Sequence, residues 1–303
     1  MKSVWIKNQL FIFIKGIAMG TANVIPGVSG GTIALITRIF ERLINAIKSF
    51  DLAAVKLILN GKFTDFAKHV DLSFLISLLL GIGVAIISLA RLFEFLFREY
   101  PVYLWAFFFG LVLASVYFVG KTIKKWLTSV ILSFIIGTGI AVFISVATPG
   151  IENDNFVYLL ICGVVAICSM ILPGLSGSFV LLLMGNYKLV MIDAINYWRF
   201  DVLLPIAIGA IVGIIAFSHF LSWLLKRFHD ATIAVLTGFI LGSLAILWPW
   251  KIEVKEMYGT MAKTTGYEWF LPQINIELAI ALVCCIVGIA TIYFTEKMAK
   301  KEG

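Results

Sequence analysis

The sequence predicts an all-α polytopic membrane protein made of two inverted-topology repeats, each a re-entrant helical hairpin followed by three transmembrane helices. Three observations support this prediction: an apolar composition, a duplicated Pro-Gly-x-Ser-Gly motif and an uneven distribution of positive charge. Of the 303 residues, 61% are hydrophobic and 14% are charged, whereas a soluble chain carries roughly 25% charged residues. The mean hydropathy is +1.03. This composition excludes a disordered chain, a nucleic-acid-binding module and a secreted disulfide scaffold.

The charges and cysteines fit the same class of protein. The net charge of +7 is explained by lysines and arginines retained on cytoplasmic loops, close to anionic lipid headgroups. All four cysteines lie in apolar runs without the spacing of metal ligands, so we predict neither a metal site nor a cofactor. Because Lys15 interrupts the first apolar stretch, we expect no cleavable signal peptide.

Six apolar runs are long enough to cross a bilayer core about 30 Å thick. These predicted spans are residues 73–97, 102–120, 127–148, 202–225, 231–248 and 274–294. Two further apolar regions, 10–37 and 156–187, are each interrupted by the Pro-Gly-x-Ser-Gly motif. A continuous helix would not contain that motif, so we expect a break in each region.

The motif belongs to an internal duplication. Residues 25–30 match residues 172–177, an offset of 147. Fixed-offset similarity of this kind is typical of a chain built from two copies of one unit. We therefore divide the chain into a first repeat, 1–150, and a second repeat, 151–303.

The offset changes along the chain. After the motifs it becomes 128, which aligns Gly110 with Gly238. The difference of 19 residues falls in the polar stretch 48–71, an extra segment of the first copy. Its portion 51–59 has helical periodicity, and we expect it to lie along the membrane surface.

Positive charge decides between two topologies. If each motif region crossed the membrane, giving eight spans, 10 lysines and arginines would lie inside and 14 outside. If each motif region enters and returns as a hairpin, 17 lie inside and 7 outside, which the positive-inside rule favours. Both termini are then cytoplasmic. Because three spans per copy is an odd number, the second copy is inverted, as in many secondary transporters.

Each motif is a candidate anion site. Irregular backbone at membrane depth must be buried in protein or line a wet cavity, and the amides at the start of a half-helix favour an anion. In the first copy, with Ser29 as helix cap, the candidates are Pro26, Gly27, Ser29, Gly30, Gly31 and Thr32. In the second copy they are Pro173, Gly174, Ser176, Gly177 and Ser178. The alternative is that these small residues only allow close helix packing, but their duplication favours a site.

Four polar side chains near the motifs are further candidates. Arg38 and Glu41 follow the first motif, three residues apart, and we expect both to continue its half-helix. There Arg38 would attract the anion and Glu41 could carry a proton; the alternative is an ordinary surface pair. His219 lies inside an apolar span, where an ionisable side chain is a functional candidate. Asn23 is a candidate substrate contact, unless it only joins two helices by a hydrogen bond.

Residues 20–32, followed by Phe40 and Glu41, resemble the signature of the polyprenyl-phosphate transporter family PopT, formerly a domain of unknown function. The resemblance covers nearly the whole chain in length, duplication and motif placement. It implies a multi-pass protein of the bacterial cytoplasmic membrane that returns undecaprenyl phosphate, the lipid carrier of wall synthesis, to the inner leaflet. The family pattern implies an acidic residue where this chain has Asn23, so the candidate proton carrier becomes Glu41.

Two other functions stay open. Membrane undecaprenyl-diphosphate phosphatases also have inverted repeats, re-entrant hairpins and a Pro-Gly-x-Ser-Arg-Ser-Gly motif. This chain has Gly30 in place of the arginine, and its three histidines, His69, His219 and His229, adjoin neither motif. The chain also has no Glu-rich motif near a histidine to supply a nucleophile or base, which favours a transporter over an enzyme. A small-anion transporter would share the anion site but need no access from the lipid. For either transporter, a proton or a sodium ion is the candidate coupling ion.

Overall fold

The computed structural model describes residues 2–24, 29–147, 151–258 and 261–301, which are mostly helical. The helices are α1 (Lys2–Val24), α2 (Gly30–Ile36), α3 (Phe40–Lys48), α4 (Leu52–Leu59), α5 (Phe63–His69), α6 (Leu72–Glu99), α7 (Pro101–Gly120), α8 (Thr128–Val146), α9 (Phe156–Ile171), α10 (Gly177–Leu183), α11 (Ala194–Asn196), α12 (Phe200–Arg227), α13 (His229–Leu247) and α14 (Ile276–Lys301). A π-helical turn, Leu189–Asp193, precedes α11.

The six predicted spans coincide with α6, α7, α8, α12, α13 and α14. Of these, α7, α8, α12, α13 and α14 are each long and apolar enough to cross a membrane. The sixth candidate span is α6 taken together with α5, and the chain bends between these two helices. The prediction of a helical, multi-pass membrane protein is therefore confirmed. The apolar core lies where α2, α3, α7 and α13 meet, and its fully buried side chains include Ile44, Phe108 and Ile240.

One element departs from the helical prediction. Strands β1 (Lys251–Tyr258) and β2 (Met261–Trp269) form an antiparallel pair between α13 and α14. The signal was present in the sequence, because apolar Ile252 and Val254 alternate with charged residues, a period of two that favours a strand. The ring N–H of Trp269 donates to the Ala245 carbonyl at 2.8 Å and so ties the pair to the end of α13.

The first motif region is a hairpin between α1 and α2. Near the start of α1, the Gln9 side chain accepts a hydrogen bond from Ser77 of α6 at 2.7 Å. Further along α1, Lys15 Nζ donates to the Thr37 carbonyl at 3.2 Å, where α2 has just ended. The chain therefore enters and returns at one end of the molecule. We call this the cavity end.

The second motif region is a hairpin between α9 and α10 that starts from the opposite end. The Tyr158 hydroxyl near the start of α9 donates to the carbonyl of Met184, the residue after α10, at 2.8 Å. This end also carries the two strands, and we call it the strand end. At the cavity end, the Glu41 carboxylate lies 3.2 Å from the ring of His229. The eight-span alternative would place residues 41 and 229 on opposite sides of the membrane, so this contact favours the six-span alternative.

Glycines at matching positions of the two copies bring helices into backbone contact. A Cβ at Gly16 would strike the Leu78 carbonyl, and one at Gly163, 147 residues later, would strike the Ile206 carbonyl. As a result α1 crosses α6 as closely as α9 crosses α12. Small residues at such crossings permit the close packing that holds helices together in a membrane.

A second set of glycines joins the two copies to each other. A Cβ at Gly110 would strike the Cys285 carbonyl, so α7 crosses α14 in close contact. A Cβ at Gly238, 128 residues later, would strike the Phe134 carbonyl, so α13 crosses α8 in the same manner. The second span of each copy therefore packs against the third span of the other.

Single residues separate the first and second spans in each copy. Tyr100, between α6 and α7, has φ −136° and ψ 46°. Phe228, between α12 and α13 and 128 residues later, has φ −134° and ψ 51°. The duplicated sequence therefore produces the same backbone break at both places.

The extra segment of the first copy contains α4 and α5. The predicted helix over residues 51–59 is observed as α4, whose N-terminal cap is the Asp51 carboxylate, accepting from the amides of Ala53 and Ala54. The hydrogen bond from the Ala54 amide, followed by that from His69, lowers the pKa of Asp51 below its ordinary value. Leu52 and Leu59 are exposed on α4, as expected of a helix with an apolar face turned towards lipid.

Candidate functional site

Ser29, at the start of α2, contacts the loop of the second motif in the interior of the molecule. The Ser29 hydroxyl donates to the Leu172 carbonyl at 3.4 Å and accepts from the Gly174 amide at 3.3 Å. Gly174 has φ +80°, and a Cβ there would lie 2.7 Å from the Phe239 carbonyl, so the turn requires glycine. Two of the predicted site residues, Pro26 and Gly27, lie outside the described residues, as does the side chain of Asn23.

Gly31 in the first motif and Gly177 in the second lie too close to neighbouring atoms to accept a Cβ. A Cβ at Gly31 would lie 2.7 Å from the Ile171 carbonyl, and one at Gly177 would lie 2.7 Å from Met170 Cγ. In the first copy Gly30, Gly31 and Thr32 are buried, and the Thr32 amide donates to the Ser29 carbonyl at 3.0 Å. The three residues of the first motif whose amides were expected to face an anion are therefore buried.

The second motif presents two hydroxyls. Ser176 Oγ and Ser178 Oγ lie 3.0 Å apart, and both side chains are partly exposed, whereas Pro173 and Gly174 are buried. Among the described residues of the two motifs, this serine pair is the polar group best placed to contact a ligand from solvent.

The first motif helix ends earlier than expected. The amide of Arg38 donates to Leu35 and that of Ile39 donates to Ala34, the pattern that closes a helix when the residue after its C-cap is left-handed. That residue is Arg38, with φ 58°. The expectation that Glu41 continues the same half-helix is therefore wrong, because α3 starts anew at Phe40.

The second motif helix ends with the same turn. The amide of Gly185 donates to Leu182 and that of Asn186 to Leu181, and Gly185 has φ 77°. Arg38 occupies the position of Gly185 in the duplication, 147 residues earlier. A left-handed conformation costs a residue with a Cβ roughly 1–2 kcal/mol, and strain of this kind concentrates at functional sites.

The alternative of an ordinary surface pair between Arg38 and Glu41 is not what the structure has, because each side chain makes a longer-range contact instead. Arg38 lies 3.3 Å from Glu296 on α14, whose side chain is 11% exposed. Glu41 lies 3.2 Å from His229, whose other ring nitrogen lies 3.3 Å from Asp230. The left-handed turn separates the directions of Arg38 and Glu41, so each reaches a side chain of the second copy.

His229 was not predicted as a site residue. It adjoins neither motif in sequence, but it is in contact with Glu41 in space. The available signal was its position two residues after Arg227, on the side of the membrane assigned to Glu41. His219, which was predicted, instead has its ring 2.9 Å from the Ile215 carbonyl one helical turn earlier.

These side chains surround a charged cavity of about 910 Å³ at the cavity end. Arg42, also on its wall, is held by Asp71 at 2.7 Å and lies over the ring of Phe74. The charged and titratable residues that line the cavity are Arg38, Glu41, Arg42, His69, Asp71, Lys121, His229 and Glu296. The volume lies within the range of ligand sites, roughly 300–1,000 Å³.

Comparison with known proteins identifies the family. The model of the undecaprenyl phosphate translocase-like family matches residues 19–265. The chain belongs to this family. Its relatives include a polyprenyl-phosphate transporter of Vibrio cholerae serotype O1, 38% identical over 97% of this chain and 98% of the relative. A polyprenyl-phosphate transporter of Staphylococcus aureus is 31% identical over 78% of this chain and 85% of the relative.

Membership of the family confirms the resemblance drawn from residues 20–32. It also confirms the choice of a transporter over an enzyme, because both relatives are named transporters. No solved structure matches the chain.

Proposed function

We propose that this chain carries a polyprenyl phosphate, namely undecaprenyl phosphate, across the bacterial cytoplasmic membrane, returning the lipid carrier of wall synthesis to the inner leaflet. The observation that carries the proposal is the charged cavity beside the end of the first motif helix, in a chain whose relatives are named polyprenyl-phosphate transporters. A phosphate head needs such a polar compartment, because an unpaired charge in an apolar medium is very costly.

Arg38 is the proposed first contact of the phosphate. Its guanidinium is half exposed and is paired with one carboxylate, that of Glu296. A phosphate oxygen can replace a carboxylate oxygen on a guanidinium, since both form charge-assisted, bidentate hydrogen bonds. The hydroxyls of Ser176 and Ser178 are proposed contacts further along the route, where the two motifs meet.

We further propose that the two repeats, 1–150 and 151–303, have inverted topology and that both termini are cytoplasmic. The two hairpins start from opposite ends of the molecule, and the matching glycine crossings support this arrangement. In a cysteine-free background, single cysteines at positions 62 and 124 should be labelled only from the cytoplasm. Cysteines at positions 153 and 263 should be labelled only from outside. Labelling of position 62 from outside would refute the arrangement.

The transport proposal is tested in liposomes that contain the purified full chain. A leaflet-specific assay with fluorescent undecaprenyl phosphate should show movement between leaflets without release of inorganic phosphate. Release of phosphate would instead identify a phosphatase. Transport of inorganic phosphate, with no movement of the lipid, would identify a small-anion transporter.

Coupling to a proton is proposed for the pair of Glu41 and His229. The two groups are in contact, and His229 also faces Asp230, while His69, Arg42 and Lys121 line the same cavity. A phosphate bound at Arg38 adds negative charge nearby and so favours a proton on this pair. Glu41→Gln should therefore abolish the response of transport to a pH gradient while binding of the lipid phosphate persists.

Two of the three histidines, His229 and His219, separate coupling from general effects. His229→Gln should reproduce the loss of gradient response seen in Glu41→Gln. His219→Gln is the matched control, because its ring is bonded to the Ile215 carbonyl and is not part of the cavity wall. If His219→Gln alone removes the response, the proton is carried on α12 and not at the cavity end.

A further inference from the structure

An apolar groove of about 590 Å³ lies between α7 and α14. Its walls are Leu113, Ala114, Tyr117, Phe118, Ile286, Ile289, Ala290 and Tyr293. None of these side chains is charged, and several are substantially exposed, including Leu113, Tyr117 and Tyr293. We call it the α7–α14 groove.

The groove and the charged cavity are neighbours. Phe118 lines both, and its ring lies 6.3 Å from the ring of Tyr293 on the facing helix. These two aromatic side chains therefore stand at the boundary between an apolar compartment and a charged one.

The change from apolar to charged takes one helical turn on each helix. On α7, the groove residue Tyr117 is followed by Lys121, which lines the cavity and whose Nζ lies 5.8 Å from the Tyr117 ring centroid. On α14, the groove residue Tyr293 is followed by Glu296, the partner of Arg38 in the cavity. One helical turn spans about 5.4 Å, so a charged group can lie in the cavity while an apolar chain attached to it lies in the groove.

We propose that the α7–α14 groove binds the isoprenoid chain of the lipid whose phosphate occupies the charged cavity, so that the lipid enters sideways between α7 and α14. The inference rests on the proposed function and adds the route and the tail contact. Since lipid tails are as apolar as leucine, the groove gains little from hydrophobic burial. It acts by holding the tail in a packed path that aims the head past Phe118.

Photo-crosslinking tests the occupant of the groove in the unmodified full chain. An undecaprenyl phosphate with a diazirine in the isoprene units next to the phosphate should label α7 and α14. Excess unlabelled undecaprenyl phosphate should compete with it, and excess phosphatidylglycerol should not. Labelling elsewhere, or equal competition by phosphatidylglycerol, would overturn the tail site and show ordinary contact with membrane lipid.

Filling the groove tests the route. Ala290→Trp and Leu113→Trp should each lower undecaprenyl phosphate transport about tenfold, which corresponds to about 1.4 kcal/mol in the barrier. Val212→Trp, at an exposed position on α12, is the matched control and should keep the parent rate. Parent rates in both groove variants would overturn the route. If the parent chain itself moves no lipid, the transport proposal fails, whereas transport with crosslinks outside the groove refutes the groove alone.

Discussion

The ends of the two motif helices have the same backbone and opposite surroundings. Arg38 and Gly185 occupy equivalent left-handed turns, with φ of 58° and 77°. Arg38 opens into the charged cavity, whereas Asn186, directly after Gly185, is fully buried and hydrogen-bonded to both backbone groups of Asn153. The two turns therefore share a backbone and differ in chemistry: the first opens into a charged cavity, and the second adjoins a buried amide.

Among the changes that test the difference between the two turns, replacing Arg38 should have the largest effect. Both Arg38→Ala and Arg38→Gly remove the guanidinium, and transport in liposomes should fall about tenfold or more, at least about 1.4 kcal/mol of barrier. The two variants should differ in stability, because glycine accepts the left-handed turn and alanine does not, a difference of roughly 1 kcal/mol. Thermal unfolding in detergent measures that difference.

The second turn supplies the control for Arg38. Gly185→Ala should lower the unfolding temperature for the same backbone reason, without removing a charge. If Arg38→Gly transports at the parent rate, the cation is dispensable, and the difference in charge between the two turns does not matter for transport. Equal unfolding temperatures for Arg38→Ala and Arg38→Gly would show that the turn rearranges when the arginine is lost.

Removing the side chain of Asn186, which is buried beside the second turn, should have an intermediate effect. Asn186→Ala removes both hydrogen bonds to the backbone of Asn153, an exposed residue, at a cost of about 0.5–1.5 kcal/mol for each bond. The Asn186 side chain also covers the thiol of Cys162, at 3.6 Å. In a chain whose other cysteines are alanine, a thiol reagent should therefore modify Cys162 faster in Asn186→Ala than in the parent. An unchanged rate would mean that another group closes the strand end.

The smallest effect is expected in the segment that the second copy lacks. Asp51→Ala removes the cap of α4, at a cost of about 1 kcal/mol, and hydrogen exchange of the α4 amides should become faster. Because the pKa of Asp51 is lowered in the folded chain, the stabilisation is present above the ordinary carboxyl pKa and is lost as the pH falls below it. Parent and variant should therefore exchange alike at strongly acid pH. A difference that persists there would show that the capping charge is not the cause.

Local patterns predicted most of the fold, since each span and each helix break is encoded by neighbouring residues. The end of α2 was missed because Arg38 stands where glycine normally marks such a turn. Gly185 at the aligned position was the usable signal. The contacts of Arg38 with Glu296 and of Glu41 with His229 join residues 258 and 188 positions apart. Such contacts depend on how the two copies pack, and no spacing within either motif encodes that packing.

The single-residue breaks at Tyr100 and Phe228 each connect two groups of closely packed helices. The glycine crossings pair α7 with α14 and α13 with α8, and α7 and α13 share the apolar core, so these four helices form one block. The crossings also pair α1 with α6 and α9 with α12, which we call the two arms. The arms are held at other points too, by the hydrogen bonds of Ser29 with Leu172 and of Ser222 with Asn45. If an arm rotates against the block during a transport cycle, those hydrogen bonds have to break, and Tyr100 and Phe228 are the shortest covalent links about which the arm can turn.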